Sequence, residues 1–190
     1  MLIKQTFAAV TAAGCLAISA SSLASPPPFS LEGTPFEIAA SEQGLDPTLL
    51  YALTLIESND TAPDRGIDAG YVAPWPYTLR APDEAFRFDT REEAEAALHE
   101  LLQETQLIDI GWAQVNAYWH KGEVTSLEDL LDPLYNLQYA SEYLSKSMSL
   151  APGDPALGIG FYHNRADHEL ARNYGERVLA VQKNLNRIVE

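Results

Sequence analysis

The chain has 190 residues and carries 12 basic against 27 acidic side chains, a net charge of −15 at pH 7. This length fits one domain with a proper core once an export signal is removed, and the acidic balance argues against nucleic acid as a partner. Cys15 is the only cysteine, so a mature chain without it has no disulfide and no cysteine-based metal site.

The first residues are typical of a secretory signal. Lys4 is a short positive region, an apolar run extends from Phe7 to Ala20, and Ser22-Leu23-Ala24 provides the small side chains of a cleavage site. We therefore expect residues 1–24 to be removed, leaving a periplasmic or secreted protein with no stable membrane insertion. The alternative is a lipoprotein anchored at Cys15, which follows Ala13 and Gly14.

Residues 25–33 are predicted to be a proline-rich spacer, because consecutive prolines favour extended backbone and cannot begin a helix. From Thr34 onward, four helix starts share one pattern, in which a capping side chain precedes a proline. They are Thr34-Pro35, Asp46-Pro47, Asp132-Pro133 and Asp154-Pro155. The pattern predicts one mainly helical domain over residues 34–190.

Two capping boxes define further helix limits. Thr34 with Glu37, and Thr90 with Glu93, have the required spacing and predict helices over residues 35–43 and 91–105. Between them, aromatic residues flank a Pro-Asp turn, which predicts a small β-hairpin insertion near residues 75–89. The fold class expected is therefore mainly α with a small β component.

The last helix shows the clearest helical periodicity in the chain. Its apolar face repeats at three- and four-residue spacing and consists of Tyr174, Val178, Val181, Leu185 and Ile188. We expect this face to pack on the helix predicted over residues 133–149.

Glu57 is the residue on which the functional argument depends. In the helix that begins at Pro47, the helical period brings Glu57 over the apolar face that contains Leu50 and Leu53. Desolvation against leucines and the negative end of the helix dipole both disfavour the carboxylate, so both raise its pKa. A carboxyl group that keeps its proton near neutral pH is suited to general acid catalysis. The alternative is an ordinary, partly exposed glutamate at a helix end.

Four stretches in this order resemble one family. They are Leu53 to Ser58 with its Glu-Ser pair, Asp109 to Asn116, Asp132 to Leu137 with Ala140 and Leu144, and Tyr162-His163-Asn164. Together they resemble the lytic transglycosylase (SLT-type) domain, which is related in fold to goose-type lysozyme, and especially the branch that accompanies conjugation and secretion machines. The resemblance covers roughly residues 35–190. It implies a lysozyme-like α+β fold and an enzyme that cuts peptidoglycan glycan strands without a cofactor.

The resemblance also implies roles for individual residues. Glu57 would be the single acid and then base, Tyr162 would hold it with its hydroxyl, and Ser58 would contact an N-acetyl or peptide group of the substrate. Gln114 and Asn116 would place amide groups in the sugar groove, with loop or helix capping as the alternative for both. Trp112-Ala113 and His163 depart from the family pattern, which leaves the substrate-binding role of Asn164 open.

Several aromatic residues are candidates for stacking on sugar rings. They are Trp75, Tyr77, Trp112, Tyr118 and Trp119. Most are expected to belong to the core, and Trp112 is the preferred stacking residue because it lies beside the expected groove.

The sequence also bears on functions other than lytic cleavage. The histidines lack the His-Glu-x-x-His spacing of a zinc hydrolase, and no Gly-x-Ser-x-Gly turn supports a nucleophilic serine, so no metal ligand is assigned. A hydrolase on the same fold would need a second carboxylate, with Asp60, Asp64, Asp68 and Asp109 as candidates. A non-catalytic peptidoglycan-binding subunit of an envelope-spanning secretion or conjugation complex is the third possibility.

Overall fold

A computed structural model describes residues 29–60 and 73–188, with only the backbone of Asn59 and Asp60. Within these residues the helices are α1 Pro35–Glu42, α2 Pro47–Ser58, α3 Arg91–Glu104, α4 Ala117–His120, α5 Pro133–Ser149, α6 Pro155–His163 and α7 His168–Leu185. A short 3-10 helix, Glu128–Leu131, precedes α5. The strands are β1 Asn59–Asp60, β2 Ala73–Pro74, β3 Thr78–Arg80, β4 Ala85–Arg87, β5 Asp109–Ile110 and β6 Val115–Asn116. The fold is mainly helical with a small β component, as the sequence predicts.

The capping side chains begin most helices as expected. Asp132 accepts a hydrogen bond from the Tyr135 N–H, and Asp154 accepts one from the Leu157 N–H. The capping box of Thr90 and Glu93 is present in both directions. The box expected at Thr34 is wrong, because the Thr34 hydroxyl donates to the Leu31 carbonyl and does not cap α1.

The described strands form two antiparallel sheets. In the larger sheet the strand order is β4-β3-β5-β6, and the hairpin of β3 and β4 lies where the sequence predicts it. Strand β5 pairs with β3, which places Arg80 opposite Asp109, and with β6, which places Asp109 opposite Asn116. The register therefore brings these three polar residues into one row across the sheet.

Helix α7 packs mainly on α6 and α2. A Cβ at Gly160 would overlap the Ala171 carbonyl, and one at Gly175 would overlap the Ala156 carbonyl. The two helices approach each other this closely only because both positions are glycine. The expected packing of α7 on the 133–149 helix is therefore wrong: α6 is its neighbour, and α5 packs on α6 and α1.

The folded part begins before the expected Thr34. The Phe29 ring lies 5.2 Å from the Tyr51 ring, and Leu31 is buried with Phe36 and Leu50. The end of the predicted spacer therefore belongs to the core. The predicted signal peptide, Cys15, Asp64 and Asp68 lie outside the described residues. Over the parts of the chain that are described, no helix is long and apolar enough to cross a membrane.

Candidate active site

Glu57 is the penultimate residue of α2 and lies on the side of the helix that is buried at Leu50 and Leu53. Glu57 keeps some solvent exposure as a residue, while its carboxyl group is closely surrounded by protein atoms. A carboxyl group placed in this way is poorly hydrated, although its residue still meets solvent. The position matches the one that the helical period predicts.

The surroundings raise the pKa of Glu57 from 4.5 to about 7. Burial is the largest cause, and the negative charge of Asp109 adds to it. A hydrogen bond from Tyr174 and the positive charges of Arg80 and Arg177 act in the opposite direction and do not cancel the effect of burial. The raised pKa leaves a substantial protonated fraction at neutral pH, which a general acid requires.

Tyr174 on α7 holds the carboxyl group. Its hydroxyl donates a hydrogen bond of 2.5 Å to Oε1 of Glu57, and the residue is only 4% exposed. The resemblance implies this role for Tyr162, and the structure corrects that assignment. The Tyr162 hydroxyl instead donates to the Ala113 carbonyl at 2.8 Å. Burial, followed by the nearby charge of Glu57, raises the pKa of Tyr162.

Asp109 supplies a second carboxylate from the sheet. Its Oδ1 accepts a 2.8 Å hydrogen bond from the side-chain amide of Asn116. Burial raises the pKa of Asp109, while the Asn116 hydrogen bond and the charges of Arg80 and His163 lower it. The candidate site therefore contains two partly desolvated carboxyl groups, Glu57 and the predicted candidate Asp109.

His163 and Arg177 stand next to these groups. The His163 ring stacks on the Tyr174 ring with a centroid distance of 4.6 Å and an angle of 3° between planes. Partial burial and then the charge of Arg177 lower the pKa of His163, with Asp109 opposing them. His163 therefore supports the tyrosine that holds Glu57.

The loop of residues 111–114 lies near Glu57 and is held in place by buried hydrogen bonds. Asn136 on α5 accepts from the Ala113 N–H and donates to the carbonyls of Ile110 and Leu130, with all three distances between 2.9 and 3.0 Å. A Cβ at Gly111, whose φ is +79°, would overlap the Asn136 side chain. The glycine is thus required both for its backbone conformation and for this close approach.

Ser58 also belongs to this support. It is fully buried, and its hydroxyl lies 2.6 Å from the Trp112 carbonyl, to which it donates. The contact with substrate that the resemblance implies is therefore corrected to a bond between the end of α2 and the loop. Gln114 has φ +49°, and its amide nitrogen donates to the Gly111 carbonyl at 2.9 Å. Its role toward substrate stays a prediction.

Three other assignments change. The Asn116 amide oxygen caps α4 by accepting from the N–H groups of Tyr118 and Trp119, so the capping alternative holds for this residue. Asn164 accepts from the N–H groups of Ala166 and Asp167 and shapes the turn after α6. The Trp112 ring lies 4.8 Å from the Phe36 ring and packs against a core cluster, so only part of this half-buried side chain is open to a sugar.

Two residues of the site are not among those that the sequence predicts. The periodicity of the last helix predicts Tyr174 only as part of an apolar face, although a buried tyrosine hydroxyl needs a hydrogen-bond partner, which is a signal for such a role. Asn136 recurs with Ala140 and Leu144 at four-residue spacing, so a polar side chain on the buried face of α5 was also visible in the sequence.

Comparison with models of protein families, with characterised proteins and with solved structures finds no match for this chain. The function must therefore be argued from the site itself.

Proposed function

We propose that the chain is a glycan-cleaving enzyme in which Glu57 is the general acid. The observation that carries this proposal is the carboxyl group of Glu57, whose pKa is raised to about 7 by burial and which Tyr174 holds in one orientation. Protonation of the oxygen that leaves is the step that glycoside cleavage requires from such a group. The charges of Asp109, Arg80 and Arg177 act on it.

Within this class, the resemblance of four stretches favours a peptidoglycan lytic transglycosylase that acts on the β-1,4 bond between N-acetylmuramic acid and N-acetylglucosamine. Glu57 would give its proton to the bridging oxygen as the bond from C1 breaks. The N-acetyl oxygen would support the cationic C1, and the 6-hydroxyl would then bond to C1 as Glu57 takes its proton back. The product is a 1,6-anhydro sugar, and the intramolecular hydroxyl gains from its high effective molarity.

A second candidate is a muramidase that uses water on the same site. Asp109 favours it, because this carboxylate lies near enough to Glu57 for its charge to raise the Glu57 pKa. A second carboxylate near the acid could activate water or stabilise the cationic sugar. Burial raises the pKa of Asp109 overall, while the hydrogen bond from Asn116 and the charge of Arg80 favour the charged form that either role needs.

The proposed setting follows from the sequence. A periplasmic or secreted enzyme with this activity would open the wall locally, and the resemblance points to an envelope-spanning secretion or conjugation complex as the partner. The non-catalytic alternative, a peptidoglycan-binding assembly subunit, predicts binding without cleavage.

The experiment is digestion of purified peptidoglycan by the wild type and by Glu57→Gln, with the products analysed by mass spectrometry. We expect anhydromuramyl products from the wild type and a loss of activity of about 10²- to 10⁴-fold in the variant, because the amide cannot transfer the proton. Reducing ends as the main product would instead support the water-using muramidase. Intact peptidoglycan that the wild type binds but does not cut would support the assembly subunit.

A further inference from the structure

Helix α4 carries the most exposed large aromatic side chain among the described residues. Trp119 is 69% exposed and its neighbour Tyr118 is 47% exposed. Their rings are perpendicular, with centroids 4.7 Å apart. Exposure of an indole to water on this scale is unfavourable, and exposed apolar surface of this kind can mark a binding site.

The backbone and the inner side of α4 are fixed. The Asn116 side chain caps its first turn, and the Ala117 side chain is fully buried. Nδ1 of His120 lies 2.7 Å from the Tyr139 hydroxyl, and its ring packs edge-on against Tyr143. The exposed rings therefore project from an anchored turn, which limits the entropy lost when a ligand binds them.

Two separate chains of contact connect α4 with the catalytic carboxyl. Asn116, which caps α4, donates to Asp109, and the charge of Asp109 acts on Glu57. On the other side, His120 packs on Tyr143, whose ring lies 5.5 Å from that of Tyr162 beside Glu57. Few contacts therefore separate α4 from Glu57, so a glycan strand that extends past the acid on this side would meet Trp119.

We infer that Trp119, with Tyr118, is a stacking platform for one pyranose ring of the glycan strand, at a subsite beyond the two sugars whose bond is cut. The inference rests on the proposed function. The axial C–H groups of a β-linked sugar give it an apolar face, and an exposed indole offers a matching flat surface.

The size of the surface favours a sugar over a docked protein. An aromatic side chain offers about 150–250 Å² in all, whereas a stable protein interface buries about 800 Å² on each partner. Tyr118 contributes less than its exposure indicates, because the Lys121 ammonium lies 5.9 Å from the centroid of its ring. The free surface is therefore about that of one sugar ring, and Trp119 supplies most of it.

The test measures binding of N-acetylglucosamine oligomers of two to six sugars to the full chain carrying Glu57→Gln, which cannot consume them. Adding Trp119→Ala should weaken binding of the hexamer roughly tenfold and leave binding of the dimer nearly unchanged, because only longer oligomers reach the platform. Trp119→Phe should restore most of the affinity. Ile38→Ala, which removes an exposed apolar side chain on α1, is the control and should change neither.

The outcomes separate the two proposals. If Glu57→Gln binds the hexamer and Trp119→Ala does not change that affinity, the platform is wrong while the proposed function stands. An equal loss for dimer and hexamer also overturns the platform, since it indicates a general disturbance of the cleft. If Glu57→Gln binds no oligomer and the wild type cuts no peptidoglycan, both proposals fail. Trp119→Ala that disturbs association with a protein and leaves glycan affinity intact would assign this surface to that protein.

Discussion

Two sets of polar side chains meet at the loop Gly111–Gln114, and they differ in how completely they are satisfied. Asn136, Ser58 and Tyr162 are neutral, and each bonds to loop backbone at ordinary distances. Glu57 and Asp109 are carboxyl groups whose pKa is raised because burial disfavours their charge. Satisfied neutral groups stabilise one loop conformation, whereas desolvated acids cost stability and supply reactivity. The first set holds the shape that the second set uses.

The largest effect on stability is expected at Asn136. Asn136→Ala would leave the Ala113 N–H and the carbonyls of Ile110 and Leu130 without the bonds that the side chain provides. Buried groups left in this state cost about 1–3 kcal/mol each, so we expect a loss of about 3 kcal/mol or more in the free energy of unfolding, measured by urea denaturation. Gln138→Ala on the same helix, which removes an exposed bond to Glu42, should cost less than about 0.5 kcal/mol. Similar losses for both variants would show that the buried hydrogen bonds of Asn136 stabilise the fold no more than the exposed bond of Gln138.

At Glu57 a substitution is expected to raise the free energy of unfolding, the opposite of the effect at Asn136. Its pKa is about 7 in the folded chain against an ordinary 4.5, so between these pH values the folded state binds more protons than the unfolded state. The wild type must therefore lose stability as the pH rises through this window, whereas Glu57→Gln has no such proton to lose. We expect the variant to gain about 1–3 kcal/mol relative to the wild type between pH 4.5 and pH 8.

Denaturation of both proteins across that pH range measures this difference. A constant difference would mean that Glu57 is not desolvated, and the contrast between the two sets of side chains would then be lost. Asp109→Asn serves as the comparison, because burial also raises the pKa of Asp109 and its variant should shift in the same direction.

The smallest effect is expected on the pH profile of activity, where Tyr174 and Tyr162 should differ. Tyr174→Phe removes the hydrogen bond that lowers the Glu57 pKa, so the pKa should rise further and the loss of activity at alkaline pH should move upward by about half to one pH unit. Tyr162→Phe is the matched control, because its hydroxyl bonds to the Ala113 carbonyl and not to Glu57. Its profile should keep the wild-type midpoint. Clearance of peptidoglycan suspensions from pH 5 to pH 9 gives both profiles, and equal shifts would contradict the assignment of Tyr174.

Local chemistry made part of the site predictable. The helical period alone places Glu57 on the buried side of α2, and the expectation of a raised pKa is confirmed with burial as its leading cause. The tyrosine that holds it was not predictable in this way, because α6 and α7 both bring a tyrosine toward Glu57. Which hydroxyl reaches the carboxyl depends on the close approach at Gly160 and Gly175, and no local pattern encodes that approach.

Trp112 and Trp119 also show what the sequence could and could not predict. Sequence position beside the expected groove favours Trp112, yet its ring packs on Phe36, which belongs to α1 and lies far away in the chain. Trp119 lies on the next helix along the chain, α4, and is exposed. Helix limits, most of the capping side chains and the hairpin were thus determined by the sequence itself, since neighbouring residues decide them. The tertiary structure alone decided the partners of Glu57, the packing of Trp112 on Phe36, the burial of Ser58, and the row of Arg80, Asp109 and Asn116. All of them depend on packing and strand register between distant segments.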